Sequence, residues 1–217
     1  GILTALVERE KSGEGQWLHT SLLQSQAFML DFQAARWLMK EEVAPQVGNE
    51  HPTSIPTNRF LTQDGAVNIA VAGNETWRRL CDALGKPEWF EHADYKTNAD
   101  RRENRERLNG EIADIIATKT SAEWVDALTA AGVPCGPIYK IDEMFADPQV
   151  QHLGIAQPLS TVPFGDTHAM GQPVQLTRTP SQLVGSPPTR GEHTLEILEE
   201  LGINADQAAT LKDNSIV

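Results

Sequence analysis

The amino-acid sequence predicts a mixed fold, α+β or α/β, in which helices dominate a small β component. Two observations carry this reading. Apolar residues recur at three- and four-residue spacing in several long runs, the period of a helix with one buried face. Asp64-Gly65, flanked by β-prone segments, marks a two-stranded hairpin. At 217 residues the chain has room for one large domain or two small ones.

The first helix is expected over residues 1–10, with Ile2, Leu3, Leu6 and Val7 at helical spacing and an end at Ser12-Gly13-Glu14-Gly15. It has a stop signal but no initiator Met and no N-cap, so it reads as a helix cut at its start. After a short extended stretch, Thr20-Ser21 caps a helix expected to run to about Lys40. Leu22, Leu23, Phe28, Met29, Leu30, Phe32, Trp37, Leu38 and Met39 make it apolar nearly all round. Each such side chain left in water forgoes about 1.5–3 kcal/mol. The expected cover lies elsewhere in the chain, in a second subunit, or in sequence not included here.

Residues 41–58 read as a linker, because Pro45, Gly48, Pro52 and Pro56 forbid a continuous helix. The hairpin follows, residues 59–62 pairing with 66–71. Gly73-Asn74 is expected as a loop before a helix over 75–84, which Gly85-Lys86-Pro87 ends. Asn98-Ala99-Asp100 caps a helix through Ala117, and Ser121 starts another through Ala131. Residues 132–137 form a rigid Pro- and Gly-containing connector before a short helix over 141–146. Residues 154–188 are turn-rich, with β-like runs at 155–159 and 174–176. Glu192-His193-Thr194 leads a helix to Leu201, and a last helix covers 205–211.

A formal net charge of −12 disfavours nucleic acid or any partner chosen by phosphate attraction alone. Cys81 and Cys135 are too few and too far apart for a disulfide framework or a metal site. No apolar run approaches the roughly 18 residues of a membrane span, and no signal-peptide pattern opens the sequence. A cytoplasmic protein without membrane or nucleic-acid partners is expected.

Most candidate reactive groups have an ordinary reading. Asp64 belongs to a turn. Glu192-His193 resembles an acid/base pair, yet neighbours at a helix start usually cap and solvate. His51 is expected to hydrogen-bond another segment, and Cys135 to be structural. Arg101, Arg102, Arg105 and Arg107 alternate with Asp100, Glu103 and Glu106, the pattern of a solvated face, with phosphate binding as the alternative. Trp17, Trp37, Trp77, Trp89 and Trp124 are expected in the core.

A series of motifs then runs along nearly the whole chain: Gly1-Ile2-Leu3-Thr4-Ala5-Leu6, Gly13-x-Gly15-Gln16, Gly48-Asn49-x-His51-Pro52, and Gly73-Asn74-x-x-Trp77-x-x-Leu80-Cys81-x-x-Leu84-Gly85. Further on stand Thr97-Asn98-x-x-Arg101-x-x-Asn104-Arg105, Ala131-Gly132-Val133-Pro134-Cys135-Gly136-Pro137, Asp147-Pro148-Gln149-Val150 and Gly191-Glu192-His193-Thr194. In content and order this series resembles the family III coenzyme A transferases (the CaiB/BaiF group, which includes formyl-CoA transferase).

The resemblance implies an α/β fold, with an incomplete Rossmann-like large domain and a small α+β domain. Residues 1–45 and 151–217 would belong to the large domain, 46–57 to a linker and 58–150 to the small domain. It implies transfer of coenzyme A between an acyl-CoA and a carboxylic acid through a mixed anhydride and an aspartyl-CoA thioester, with no metal. The nucleophilic aspartate is expected upstream of Gly1, so no catalytic residue is assigned here and the chain alone is expected to be inactive. Gly73, Asn74 and Glu75 match a substrate-binding loop beside the thioester, with fewer glycines than some transferases have. An acyl-CoA racemase of the same family, using Glu75 as acid or base, is one alternative, and a non-catalytic dimerisation module another. The resemblance further implies an interlocked homodimer.

Overall fold

The computed structural model describes residues 1–161, 164–183 and 185–217. They divide into two compact units, Gly1–Ile138 and Tyr139–Val217.

The first unit opens with helices α1 (Ile2–Ser12), α2 (Leu22–Phe28) and α3 (Phe32–Lys40). The end of α1 falls where the sequence places it: Gly13 adopts φ 78° and its N–H bonds the Arg9 carbonyl. The long helix expected from residue 20 to 40 is instead two. Ser21 caps α2 through the Gln24 N–H, and the chain breaks at Asp31, whose φ of 47° is incompatible with a continuing helix. Apolar periodicity cannot report this break; aspartate inside a helix competes for local backbone groups and favours such boundaries. None of the three helices contains a buried residue, and Trp17 and Phe28 are 88% and 87% exposed. Trp17 and Trp37 are therefore not core residues of this chain, unlike Trp77, Trp89 and Trp124.

A strap (residues 50–56) leads into β1 (Thr57–Leu61), which pairs antiparallel with β2 (Ala66–Ala70), Phe60 facing Val67. The expected connector at 132–137 adds a third strand, β3 (Cys135–Pro137), antiparallel to β2 with Cys135 opposite Ile69. Helices α4 (Gly73–Ala83), α5 (Asn98–Glu103), α6 (Arg105–Ile116) and α7 (Ser121–Ala130), with a 3-10 turn at Pro87–Phe90, complete the unit. Phe60, Val67 and Ile69 from the sheet join Trp77, Leu80 and Cys81 of α4, Leu108, Ile112 and Ile116 of α6, and Trp124 and Leu128 of α7 in one core. Complete burial of a large apolar side chain contributes about 1.5–3 kcal/mol, so this cluster is the main source of the unit's stability.

The helix expected over 98–117 also divides, at Asn104, whose side-chain amide donates to the Asp94 and Asp100 carbonyls. Its cap is Thr97, not Asn98, in a reciprocal capping box with Asp100. Thr120 likewise caps α7 in place of Ser121. Counted from Thr120, Glu123 occupies the third helical position and completes the box.

The second unit contains α8 (Ile141–Ala146), α9 (Pro148–His152), a hairpin of β4 (Ala156–Thr161) and β5 (Gly165–Met170), α10 (Thr194–Glu200) and α11 (Ala205–Asp213). Strand β5 lies at 165–170, and residues 174–176 are not a strand as expected: the partner is set by hairpin register, Leu159 opposite Thr167. Within the turn-rich stretch 154–188, positions 162, 163 and 184 lie outside the described residues. The fold is thus one of helices and small antiparallel sheets. No described helix is long and apolar enough to cross a membrane.

Candidate functional site

The three candidate residues Gly73, Asn74 and Glu75 do not form a free loop. They are the first turn of α4, anchored from below by buried Trp77, Leu80 and Cys81. The chain enters through Ala72, an N-cap without a side chain able to accept a hydrogen bond. Gly73 has φ 81°, a backbone region costly for any residue with a Cβ. The first-turn N–H groups thus face outward at the positive end of the helix dipole with no side-chain cap, and all three residues are exposed.

Glu75 is engaged along the helix. Its carboxylate accepts from Arg78 Nη2 at 2.7 Å and Nε at 3.2 Å, and from Arg79 Nε at 3.1 Å. The Arg78 hydrogen bonds hold its pKa below the usual glutamate value. A carboxylate stabilised as an anion in this way is a poor base.

The strap is fastened to α5 and α6 by four side chains at positions 98, 101, 105 and 109, two on each helix. Asn98 accepts from Ile55 N–H at 3.2 Å and donates to the Thr53 carbonyl at 2.7 Å. Arg105 donates to the Pro52 carbonyl and to Glu50, whose carboxylate also receives the Asn58 and Asn109 amides. Arg101 is 1% exposed. Its guanidinium donates to the carbonyls of Ile55 (2.7 Å), Tyr95 (2.9 Å) and Lys96 (3.3 Å) and lies 5.0 Å from the Trp77 ring centroid.

The expectation of a solvated arginine face is therefore overturned for Arg101 and Arg105, whose guanidinium groups are taken up by the strap, while Arg102 and Arg107 are exposed. Arg107 pairs with Asp94 and with the Tyr95 hydroxyl. Alternating charge in sequence did not disclose the clamp; the amide-arginine-arginine-amide stripe at 98, 101, 105 and 109 was the available signal.

The remaining candidates are occupied locally. His51 Nδ1 accepts from the Thr53 and Ser54 amides, within its own segment, and its ring stacks on Phe32 at 6.1 Å. Glu192 accepts from Thr189 while His193 meets Glu196, so the two neighbours do not act as a pair. Asp64 caps the Ser121 amide. Burial pushes the Cys81 thiol up to about 12, which removes it as a thiolate nucleophile. Cys135 is half-buried beside the Val125 carbonyl. Among the described residues no group of three or more His, Cys, Asp or Glu side chains is placed to hold a metal.

A sequence model of CoA-transferase family III matches residues 1–194. The chain belongs to CoA-transferase family III. It is 35% identical over 205 residues to succinate–glutarate CoA-transferase of Agrobacterium fabrum, covering 92% of this chain and 50% of that protein. It is 30% identical over 200 residues to succinyl-CoA:glutarate CoA-transferase of Homo sapiens, covering 92% of this chain and 46% of the relative. The crystal structure of a CaiB/BaiF family protein from Brucella suis superposes with a TM-score of 0.76 at 26% identity, over 92% of this chain and 52% of that one. The chain spans about half the length of the curated family III relatives it matches.

Proposed function

We propose that this chain serves the transfer of coenzyme A from an acyl-CoA to a carboxylic acid, acting with polypeptide that supplies a nucleophilic aspartate. The observation that carries this reading is the family III match over residues 1–194, which includes the uncapped first turn of α4 at Gly73–Glu75. In this reading an aspartate carboxylate attacks the acyl-CoA carbonyl and expels the CoA thiolate, leaving a mixed anhydride. The thiolate then attacks the aspartyl carbonyl, releases the first carboxylate and forms the aspartyl-CoA thioester. Attack by the acceptor carboxylate reverses the sequence. The first-turn N–H groups at Gly73 and Asn74 suit the oxyanion that forms at each carbonyl.

Three aspartates of this chain are engaged as caps and are not free to act as that nucleophile. Asp64 holds Ser121, Asp100 holds Thr97, and Asp147 caps α9. The named relatives exchange CoA with dicarboxylates, so a dicarboxylic acid is the acceptor we favour. The exposed apolar surface of α1–α3 supports packing against further polypeptide in an interlocked homodimer, with 58–150 as the small domain and 1–45 and 151–217 as parts of the large one. A cytoplasmic setting completes the reading.

The racemase alternative would use Glu75 as a base, and the arginine pairing of that residue favours the transferase. The deciding experiment incubates the polypeptide carrying both halves with succinyl-CoA and labelled glutarate. Glutaryl-CoA should accumulate with loss of succinyl-CoA, and this chain alone should give none. Inversion of an acyl-CoA α-carbon without any acceptor acid, or turnover by the isolated chain, would overturn the proposal.

A further inference from the structure

The β1–β2 ladder ends at Thr57 opposite Ala70, yet the next residue, Val71, is still buried. Its peptide groups are met by the side chains of Thr57, the first residue of β1, and of Ser54 in the strap. The Val71 N–H donates to Thr57 Oγ1 at 2.9 Å. Its carbonyl accepts from Ser54 Oγ at 2.7 Å, with Thr57 Oγ1 at 3.4 Å. Two hydroxyls thus extend the sheet by one residue after its backbone partner has turned away. The residue they fix is the last before Ala72 and the positive-φ Gly73, where the chain swings into α4. Ser54 and Thr57 are fixed in turn, because the Thr53 and Ile55 peptides are bonded by Asn98 and Arg101.

We propose that Thr57 and Ser54 are positioning residues that set the approach of the Gly73–Asn74 backbone to the reacting thioester. The inference rests on the reading that this turn meets the acyl-CoA. The sheet and helices fix α4 along its length through Trp77, Leu80 and Cys81. The direction of its first turn depends on the Val71 peptide, and that peptide is held by hydroxyls whose loss leaves the apolar core unchanged. A displacement of about 1 Å in a group that stabilises a transition state can cost about 100-fold in rate.

The test compares wild type, Thr57→Val, Thr57→Ser and Ser54→Ala in the polypeptide carrying both halves. It measures kcat, KM for the acceptor acid, and hydrogen exchange of the Val71 amide, the one bonded to Thr57 Oγ1. Thr57→Val should speed exchange at the Val71 amide and lower kcat by about 10- to 100-fold, with KM changed less than about threefold. Ser54→Ala should follow in the same direction with a smaller effect, and Thr57→Ser should restore both readouts. Unchanged exchange at Val71 in Thr57→Val would overturn the positioning role, and so would faster exchange with unchanged kcat. A wild-type protein without CoA transfer would overturn the functional reading itself, an outcome distinct from an active wild type whose variants are equally active.

Discussion

Replacing Arg101 tests the physical basis of the strap most directly. The side chain is almost wholly buried and makes no salt bridge among the described residues; its charge is met by three backbone carbonyls and the face of Trp77. Burial lowers its pKa, the direction expected when desolvation opposes the charged form. That cost offsets part of the gain from charged hydrogen bonds, each of which contributes about 1.5–3 kcal/mol. Arg101→Ala removes the donors, leaves buried carbonyls at Ile55 and Tyr95 without them, and opens a space above Trp77. We expect a loss of about 3–4 kcal/mol. Arg101→Lys keeps a charge but not the fork that reaches two chain segments at once, and should lose about 2 kcal/mol. Urea denaturation followed by fluorescence and far-UV circular dichroism reads both, through the shift in midpoint at constant slope. A loss below about 1 kcal/mol for Arg101→Ala would refute the account, because it would mean the buried guanidinium adds little to the hold of the other side chains on the strap.

Acid stability tests the caps. Asp100, held low by the Thr97 hydroxyl, and Glu123, held low by the Thr120 amide, have folded-state pKa values below the ordinary 3.8 and 4.5. Depressed carboxylate pKa values stabilise the fold above those ordinary values, and the stabilisation disappears as pH falls through the folded-state ones. Asp100→Asn should therefore be less stable than wild type at pH 7, with the gap closing as pH falls below 3.8; a gap that widens on acidification would contradict the capping role. Gly132 has φ 71°, and a Cβ there would stand 2.9 Å from Arg79 Nη1. Gly132→Ala and Gly85→Ala, with similar φ, should each cost about 1–2 kcal/mol of backbone strain, because the flexible end of Arg79 can move away from the new Cβ. Thermal melts of the two variants side by side check that both lose stability by similar amounts.

The residues differ sharply in how legible they were from sequence. Asp64-Gly65 announced the hairpin, Gly13, Gly85 and Gly202 marked helix ends by their backbone freedom, and Trp77, Leu80 and Cys81 set the buried face of α4. These features depend on local geometry, which a few neighbouring residues determine. The breaks at Asp31 and Asn104 escaped notice, since hydrophobic spacing continues across a helix boundary whose cause is one side chain's hydrogen bonds or one dihedral angle. Strand β3 was hidden because its three residues form a strand only through pairing with β2. At the candidate site, the Gly73–Glu75 motif was visible, while its Ala72 N-cap, the arginine pairing of Glu75 and the hydroxyl support at Val71 were not. Those depend on which atoms meet in space, and Thr57 and Val71 are separated by 14 positions. The arginine stripe was misjudged for the same reason: carbonyl acceptors on a distant segment leave no mark in a pattern of charges.

The strap also has a consequence for how the protein is made. Its anchors lie far downstream: Ile55 waits for Asn98, 43 residues later, and Glu50 for Asn109, 59 residues later. At about 5–20 residues per second, the ribosome leaves Glu50 without its last anchor for roughly 3–12 s. During that interval the nascent segment is an incompletely fastened ribbon, open to proteases and to chaperones, and its full docking requires α5 and the start of α6.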